Sequence, residues 1–213
     1  EVFDYLQDYC VQWYINAGQT EHLVEIGVDL YKLPLEEKKA ILCSCIYGID
    51  IDIHAVEVAK FSLLIKLIDD ETAPSVAEVT PILPDLTPNI HFGNSLVSQI
   101  ELSEISVSSE QLIEIVPFDW AEINGGNCFD VIIGNPPYVN TEGMHTLLPN
   151  TEVEIYKKKY KTSHKQFDKY FIFIEQAINK IKDNGYVCYI VPNKFFKIGA
   201  GEKLRNLIAK DHL

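Results

Sequence analysis

The sequence predicts an α/β protein built on a doubly wound, mostly parallel sheet, because short apolar strand signals alternate along it with helical periodicities. Cys45 to Asp50, Asn89 to Phe92 and Phe129 to Ile133 read as strands. Each delivers a polar residue at its carboxyl end: Asp50, then Asn94 after Gly93, then Asn135 after Gly134. Ligands of such sheets bind at the strand carboxyl ends, so these three residues are expected to line one edge.

Taken in order, Val2, Phe3, Leu6, Tyr9, Cys10, Trp13 and Tyr14 recur at helical spacing, which predicts an amphipathic helix from Glu1 to about Asn16. No N-cap precedes it, and a helix that opens on the first residue suggests a segment of something longer. After Gly18 a weakly helical stretch is expected up to Pro34, and that proline opens a short helix over Leu35 to Leu42. The strand ending at Asp50 is followed by a helix from His54 to about Ile68. Ala55, Val56, Ala59, Leu63, Leu64 and Leu67 form its apolar stripe. Asp52 suits its N-cap. Asp50 suits either a strand-end cap or an acceptor for two ribose hydroxyls, with Ile51 against the adenine of the same nucleotide.

Glu71 to Pro88, with four prolines, reads as a surface connection. Val97 to Asn127 reads as a long serine-rich, acidic one, in which Trp120 anchors the loop. A turn at Gly125-Gly126 starts the strand Val131 to Ile133, whose apolar β-branched run suits burial on both faces. Thr141 to Ser163 lacks a period and is expected to hold mobile backbone near the site. Phe167 to Ile181 is a well-marked helix stopped by Asn184-Gly185. A strand over Tyr186 to Val191 and a last helix from Glu202 follow.

Composition narrows the function. A chain of 213 residues with 47% hydrophobic content suits one core and a single domain. No apolar run reaches the length of a membrane span and no signal peptide is visible, so a cytoplasmic protein without a membrane partner is expected. The five cysteines lack metal-ligand spacing, no metal site is predicted, and they read as reduced core residues. A formal charge of −13 argues against a surface that grips nucleic acid throughout. The basic run Lys157, Lys158, Lys159, Lys161, Lys165 and Lys169 is either a solvated face or a local phosphate contact. His91 is given no role.

The most informative stretch is Gly134-Asn135-Pro136-Pro137-Tyr138. Gly134 admits a close approach of another chain segment. Two successive prolines remove two N–H donors and fix two φ angles, so the carbonyls of Asn135 and Pro136 stand as stiff acceptors beside the Asn135 amide. Tyr138 adds a flat ring at the rim.

Asn-Pro-Pro-Tyr after a strand resembles the catalytic motif of S-adenosylmethionine-dependent amino methyltransferases, especially those that methylate adenine N6 in DNA. Phe118-Asp119-Trp120 ahead of the strand is similar to the methyltransferase part of type IIG restriction-modification enzymes, as are Asp168 to Glu175 and Val191-Pro192 after it. The resemblance implies a Rossmann-like methyltransferase fold with S-adenosylmethionine as cofactor and double-stranded DNA as partner, the target adenine being flipped out. It implies Asn135, Pro136, Pro137 and Tyr138 as catalytic residues, and Asp50, Ile51, Asn94 and Phe173 as cofactor contacts. Phe173 on a helical face reads equally as core. Many members carry Asp where Asn94 stands, and the amide oxygen of Asn94 can still accept a hydrogen bond.

On that resemblance residues 1–213 form a partial catalytic domain. The glycine-rich first motif and its strand, expected between the strands ending at Asp50 and Asn135, and any target-recognition or nuclease domain, would lie outside it. The chain by itself is therefore expected to be a weak methyltransferase or none. Asn-Pro-Pro-Tyr also resembles methyltransferases of protein glutamine and of RNA guanine, and a non-catalytic binding domain of the same fold is a further alternative. The oligomeric state and the DNA site are not readable from the sequence.

Overall fold

The computed structural model describes residues 1–211 apart from 78, 104 and 106. The chain divides into two compact units, Glu1–Phe92 and Gly93–Leu213. Each has its own cluster of buried apolar side chains, where length alone suggests one core.

In the first unit, helix α1 (Val2–Asn16) leads to a hairpin of β1 (Val24–Gly27) and β2 (Leu30–Lys32), then to α2 (Leu35–Cys45). The hairpin corrects the weakly helical expectation for this stretch. Its antiparallel pairing of Val24 with Lys32 turns through Asp29 in the left-handed region, φ 53°. Asp tolerates that conformation because its short side chain can hydrogen-bond locally. Pro34 caps α2, which runs on through Cys45, so the next strand, β3 (Gly48–Asp50), is shorter than expected. Helix α3 (Ile53–Ile68) follows, with the Asp52 side chain accepting from the backbone N–H of His54 at 2.8 Å, as its predicted N-cap should. Within the prolines, Ala73–Ala77 forms one short helix, α4. Strand β4 (Ile90–Phe92) then pairs parallel with β3, Asp50 opposite Phe92.

A buried charge cluster ties α2 to the end of α3. Lys38, 2% exposed, lies 2.5 Å from Asp70 Oδ1 and 2.7 Å from Glu71 Oε1, and Lys32 reaches Glu71 at 3.1 Å. Burial raises the Glu71 carboxyl, but hydrogen bonds from Lys38, Ser75 and Lys32 outweigh it and hold the group below the usual carboxylate range. A depressed carboxylate contributes stability that is complete above its unfolded pKa, about 4.3, and is lost as pH falls through the lower folded value. Lys38→Ala leaves Glu71 with Lys32 and the Ser75 hydroxyl alone and is expected to destabilise the first unit by about 3–5 kcal/mol at neutral pH. Urea unfolding of wild type and variant should show that difference shrinking in acid. An equal difference at about pH 7 and about pH 3 would contradict the assignment.

In the second unit the long connection folds into α5 (Gln99–Ser103) and α6 (Ser109–Ile115), the latter opened by a capping box in which Ser108 and Gln111 bond reciprocally. Trp120 anchors the following loop as expected. Its Nε1 donates to the Ser95 carbonyl at 2.9 Å and its ring meets Phe118 and Phe129 edge to face. Gly93 lets this segment close in, since a Cβ there would lie 2.9 Å from that of Phe118. After Asn124, Gly125 and Gly126, all at positive φ, comes β5 (Phe129–Gly134). It pairs parallel with β6 (Ile181–Tyr189), Gly134 opposite Tyr189.

Between these strands lie α7 (Thr141–Leu147), α8 (Asn150–Lys159) and α9 (Lys169–Lys180). Helices over Thr141 to Lys159 correct the expectation of mobile backbone. Val153, Ile155, Tyr156 and Tyr160 are buried there among Met144, Phe167, Tyr170 and Phe171. The chain closes with α10 (Glu202–Asp211).

Among the described residues the strands form three two-stranded sheets, antiparallel β1–β2 and parallel β3–β4 and β5–β6. The architecture is mixed α/β with parallel pairs. Strand β5 is not covered on both faces, as its composition suggests, because Val131 and Ile133 on one face stay 50% and 59% exposed. The cysteines are free; Cys43 packs half-buried against the first core, but none is fully buried and Cys45 and Cys188 are exposed, so the reading of all five as core residues is corrected. No helix of the described residues is long and apolar enough to cross a membrane.

Candidate active site

Strand β5 ends on Gly134, and the loop Asn135 to Asn140 leaves its carboxyl end. A Cβ on Gly134 would meet the Tyr189 ring at 2.9 Å, which is why the strand ends on glycine. Asn135 and Pro137 are exposed while Pro136 is buried. The loop thus grips the protein through one proline ring and presents its polar group outward.

Tyr138 leans back over this loop. Its hydroxyl lies 2.5 Å from Asn135 Oδ1 and 2.6 Å from the carbonyl oxygen of Ile190, just past β6. The ring is 49% exposed and meets Tyr170 edge to face, centroids 6.2 Å apart. Tyr170 is buried and hydrogen-bonds the Pro192 carbonyl at 3.2 Å. Burial, then the Asp168 charge, pushes its phenol up to about 12, so it remains a neutral donor.

The far end of the loop is pinned to the start of α9. Asn140 and Asp168 form an antiparallel bridge, and the Lys169 N–H donates to Val139 O at 2.7 Å. Thr141 adds a bond to the Phe167 carbonyl at 2.8 Å. Asp168, itself buried, holds Lys194 at 2.9 Å. Two prolines stiffen one end of the loop and this ladder fixes the other.

Asn94 lies in the same unit and is 4% exposed. Its Oδ1 accepts from the Leu96 N–H at 3.1 Å and its Nδ2 donates to Glu152 Oε1 at 2.9 Å. The same carboxylate oxygen accepts from the Tyr156 hydroxyl and faces Lys169 Nζ at 3.7 Å. Burial, reinforced by the Glu152 charge, raises the Tyr156 phenol well above its usual value, and burial lowers the Lys169 amine against the pull of Glu152. Glu152 is the residue the sequence reading missed. Its signal was the placing of Glu152 and Tyr156 four apart on a helical pattern with Val153 and Tyr160. Phe173, on α9, is half-buried and packs against the core of this unit.

Asp50 and Ile51 belong to the first unit, at the end of β3. Asp50 is exposed and its Oδ1 accepts from the Asp52 N–H at 2.8 Å. Ile51 beside it is 49% exposed. The second carboxylate oxygen and an apolar side chain thus stand together at a strand end.

The basic run does not form one surface. Lys169 points inward to Glu152, and Lys159 is tied to Glu101 at 2.8 Å and to the Leu96 carbonyl. Lys157, Lys158, Lys161 and Lys165 remain exposed. Among the described residues no group of three or more His, Cys, Asp or Glu side chains is placed to hold a metal.

The Asn-Pro-Pro-Tyr loop on which the sequence resemblance rests thus leaves the end of a parallel strand pair and is held at both of its ends. The Eco57I restriction-modification methylase family model matches residues 44–213. The chain is 46% identical to the type II restriction enzyme and methyltransferase RM.Eco57I of Escherichia coli, over 99% of this chain and 20% of that protein. It is 24% identical to a putative type II restriction enzyme and methyltransferase, RM.MjaORFECS2P, of Methanocaldococcus jannaschii, over 87% of this chain and 24% of that protein. A shorter match, 33% identical, reaches the type II methyltransferase M.PaeR7I of Pseudomonas aeruginosa, with 38% of this chain and 14% of that protein covered. The chain belongs to the Eco57I restriction-modification methylase family. It spans about a fifth to a quarter of the length of its first two relatives.

Proposed function

We propose that the protein containing this chain is a DNA methyltransferase that uses S-adenosylmethionine to methylate adenine N6 of a flipped base, and that Asn135 to Tyr138 handle the target amine. The observation that carries this is the exposed Asn135 carboxamide on a proline-stiffened loop at the end of β5, beside a half-exposed tyrosine ring. The exocyclic nitrogen of adenine is a poor nucleophile because its lone pair is delocalised into the ring. Asn135 Oδ1 and the Pro136 carbonyl accept its two hydrogens, which draws the nitrogen towards tetrahedral geometry and frees the lone pair. The cofactor supplies an electrophilic methyl on a sulfonium centre. Orientation by a loop fixed in advance then accounts for much of the rate without a general base. A stacked base cannot reach such a loop, so the adenine leaves the duplex and Tyr138 stacks on it.

Two residues at the end of β3 fit the cofactor: Asp50 has a carboxylate oxygen for the ribose, and Ile51, just past the strand, an exposed apolar face for the adenine ring. Asn94 fits only if its surroundings open, because both ends of its amide are engaged in a buried network that leaves one lone pair on its oxygen. Phe173 packs against the core on one side and is half-buried. We further infer that a strand from outside this chain completes a doubly wound sheet, supported by the pairing of β5 with β6 alone among the described residues, which leaves its other edge open. The chain alone would then bind cofactor weakly and methylate poorly.

The test uses the full-length protein, tritiated S-adenosylmethionine, and separate incubations with duplex DNA, with a peptide release factor, with RNA and with no acceptor. Label recovered as N6-methyladenine from DNA is expected. Label on glutamine or on RNA guanine would transfer the reading to another substrate class, and none anywhere would leave a binding domain.

A further inference from the structure

Tyr138 makes two contacts that one hydroxyl proton cannot serve. Its oxygen stands 2.5 Å from the terminal oxygen of the Asn135 carboxamide and 2.6 Å from the Ile190 carbonyl oxygen. A carbonyl has no proton to give, so the phenol donates to Ile190 and must accept from whatever faces it on the other side. With an oxygen there, two sets of lone pairs would meet at hydrogen-bond distance. Oxygen and nitrogen of an Asn side chain differ by a half-turn that the hydrogen-bond network decides.

We propose that the Asn135 carboxamide is turned so that Nδ2 donates to Tyr138, Tyr138 donates to Ile190, and Oδ1 is left facing outward. Tyr138 is then a positioning residue through its hydroxyl, in addition to any stacking by its ring. The relay sets the polarity of the site. It presents an acceptor to the incoming group and so selects an amine over a carbonyl, and donation from Nδ2 draws electron density towards Oδ1 and makes it the stronger acceptor. Its anchor is fixed, because the Ile190 N–H donates to Gly134 O at 3.3 Å and locks the end of β6 to the end of β5. This inference rests on the reading that Asn135 binds the target amine.

The experiment is a double-mutant cycle on the full-length protein: wild type, Tyr138→Phe, Asn135→Ala and the double variant. Single-turnover methylation is measured beside 2-aminopurine fluorescence at the target position, which reports flipping. The Phe ring keeps the stacking surface. Tyr138→Phe is expected to lower the single-turnover rate about tenfold, equivalent to about 1.4 kcal/mol. DNA affinity and the 2-aminopurine signal should stay within about twofold of wild type. In the Asn135→Ala background the same change should cost nothing further, because the group it orients is gone. A Phe variant within about threefold of wild type, a loss that follows the fluorescence signal, or equal losses in both backgrounds would overturn the relay. An Asn135→Ala protein as fast as wild type would instead overturn the role of Asn135 itself.

Discussion

Asn135→Ala in the full-length enzyme is expected to reduce methylation by about two to three orders of magnitude, with cofactor affinity nearly unchanged. The side chain lies just past the carboxyl end of β5, where it contacts Tyr138, and it has no part in the reading of Asp50 and Ile51 as cofactor ligands. The interaction it supplies strengthens as the amine approaches tetrahedral geometry, and losing one donor or acceptor of this kind costs about 2.7–4 kcal/mol in the transition state. The Pro136 carbonyl remains and holds one hydrogen, so a residual rate should survive. Single-turnover kinetics with saturating DNA and calorimetric titration of S-adenosylmethionine separate the two quantities. A rate within about tenfold of wild type would remove Asn135 from the chemistry.

Glu152→Ala is expected to be among the most damaging changes to stability in the second unit, at about 3–5 kcal/mol. One carboxylate oxygen there serves three buried partners: Asn94 Nδ2, the Tyr156 hydroxyl and Lys169 Nζ. Alanine leaves all three without it and leaves Lys169, whose side chain is 11% exposed, as an uncompensated charge. Glu152→Gln keeps an acceptor for Asn94 or Tyr156 and should fall between. Trp120 lies in this unit and Trp13 in the other, so urea unfolding followed by fluorescence in a Trp13→Phe background reports the second unit alone. A loss under about 1 kcal/mol would mean that the cluster relaxes without Glu152.

The sequence was most legible where local chemistry is decisive. The Asp52 cap, the Trp120 anchor, the Gly125-Gly126 turn and the helix through Tyr170 and Phe171 each follow from a few neighbouring residues. So did the family, through Asn135 to Tyr138. The hairpin of β1 and β2 was there to be seen in Val24, Ile26, Val28 and Leu30, which alternate with Glu25, Gly27 and Asp29 at a period of two. A helical reading of that stretch overlooked the alternation. Helix α8 was hidden for a different reason. Its buried face includes Glu152, a residue that patterning counts as solvent-facing, and only tertiary partners such as Asn94 and Lys169 make its burial tolerable. The exposure of Val131 and Ile133 is likewise set by what packs against β5, which no property of the strand itself reveals. Apart from the loop, site roles are the least local property of all. Asp50, Ile51, Asn94 and Phe173 can be named from a motif, but whether a side chain such as Asn94 is open to a ligand depends on residues nearly sixty positions away.

The bridge between Asn140 and Asp168 has a consequence for how this module can vary. It closes the chain from Thr141 to Phe167 into an excursion whose two ends are held together, so the loop bearing Asn135 does not feel the length of what lies between. Closing a longer excursion costs little, about 0.6 kcal/mol for each doubling. Helix α8 cannot be exchanged, since Glu152 and Tyr156 are built into the core. The connection from α7 to α8 is flanked by exposed Leu147 and Asn150, and only Leu148 in it packs, half-buried, against the core. Added residues there would project from the protein while the target-handling loop keeps its geometry, which makes this corner a natural port for new surface contacts.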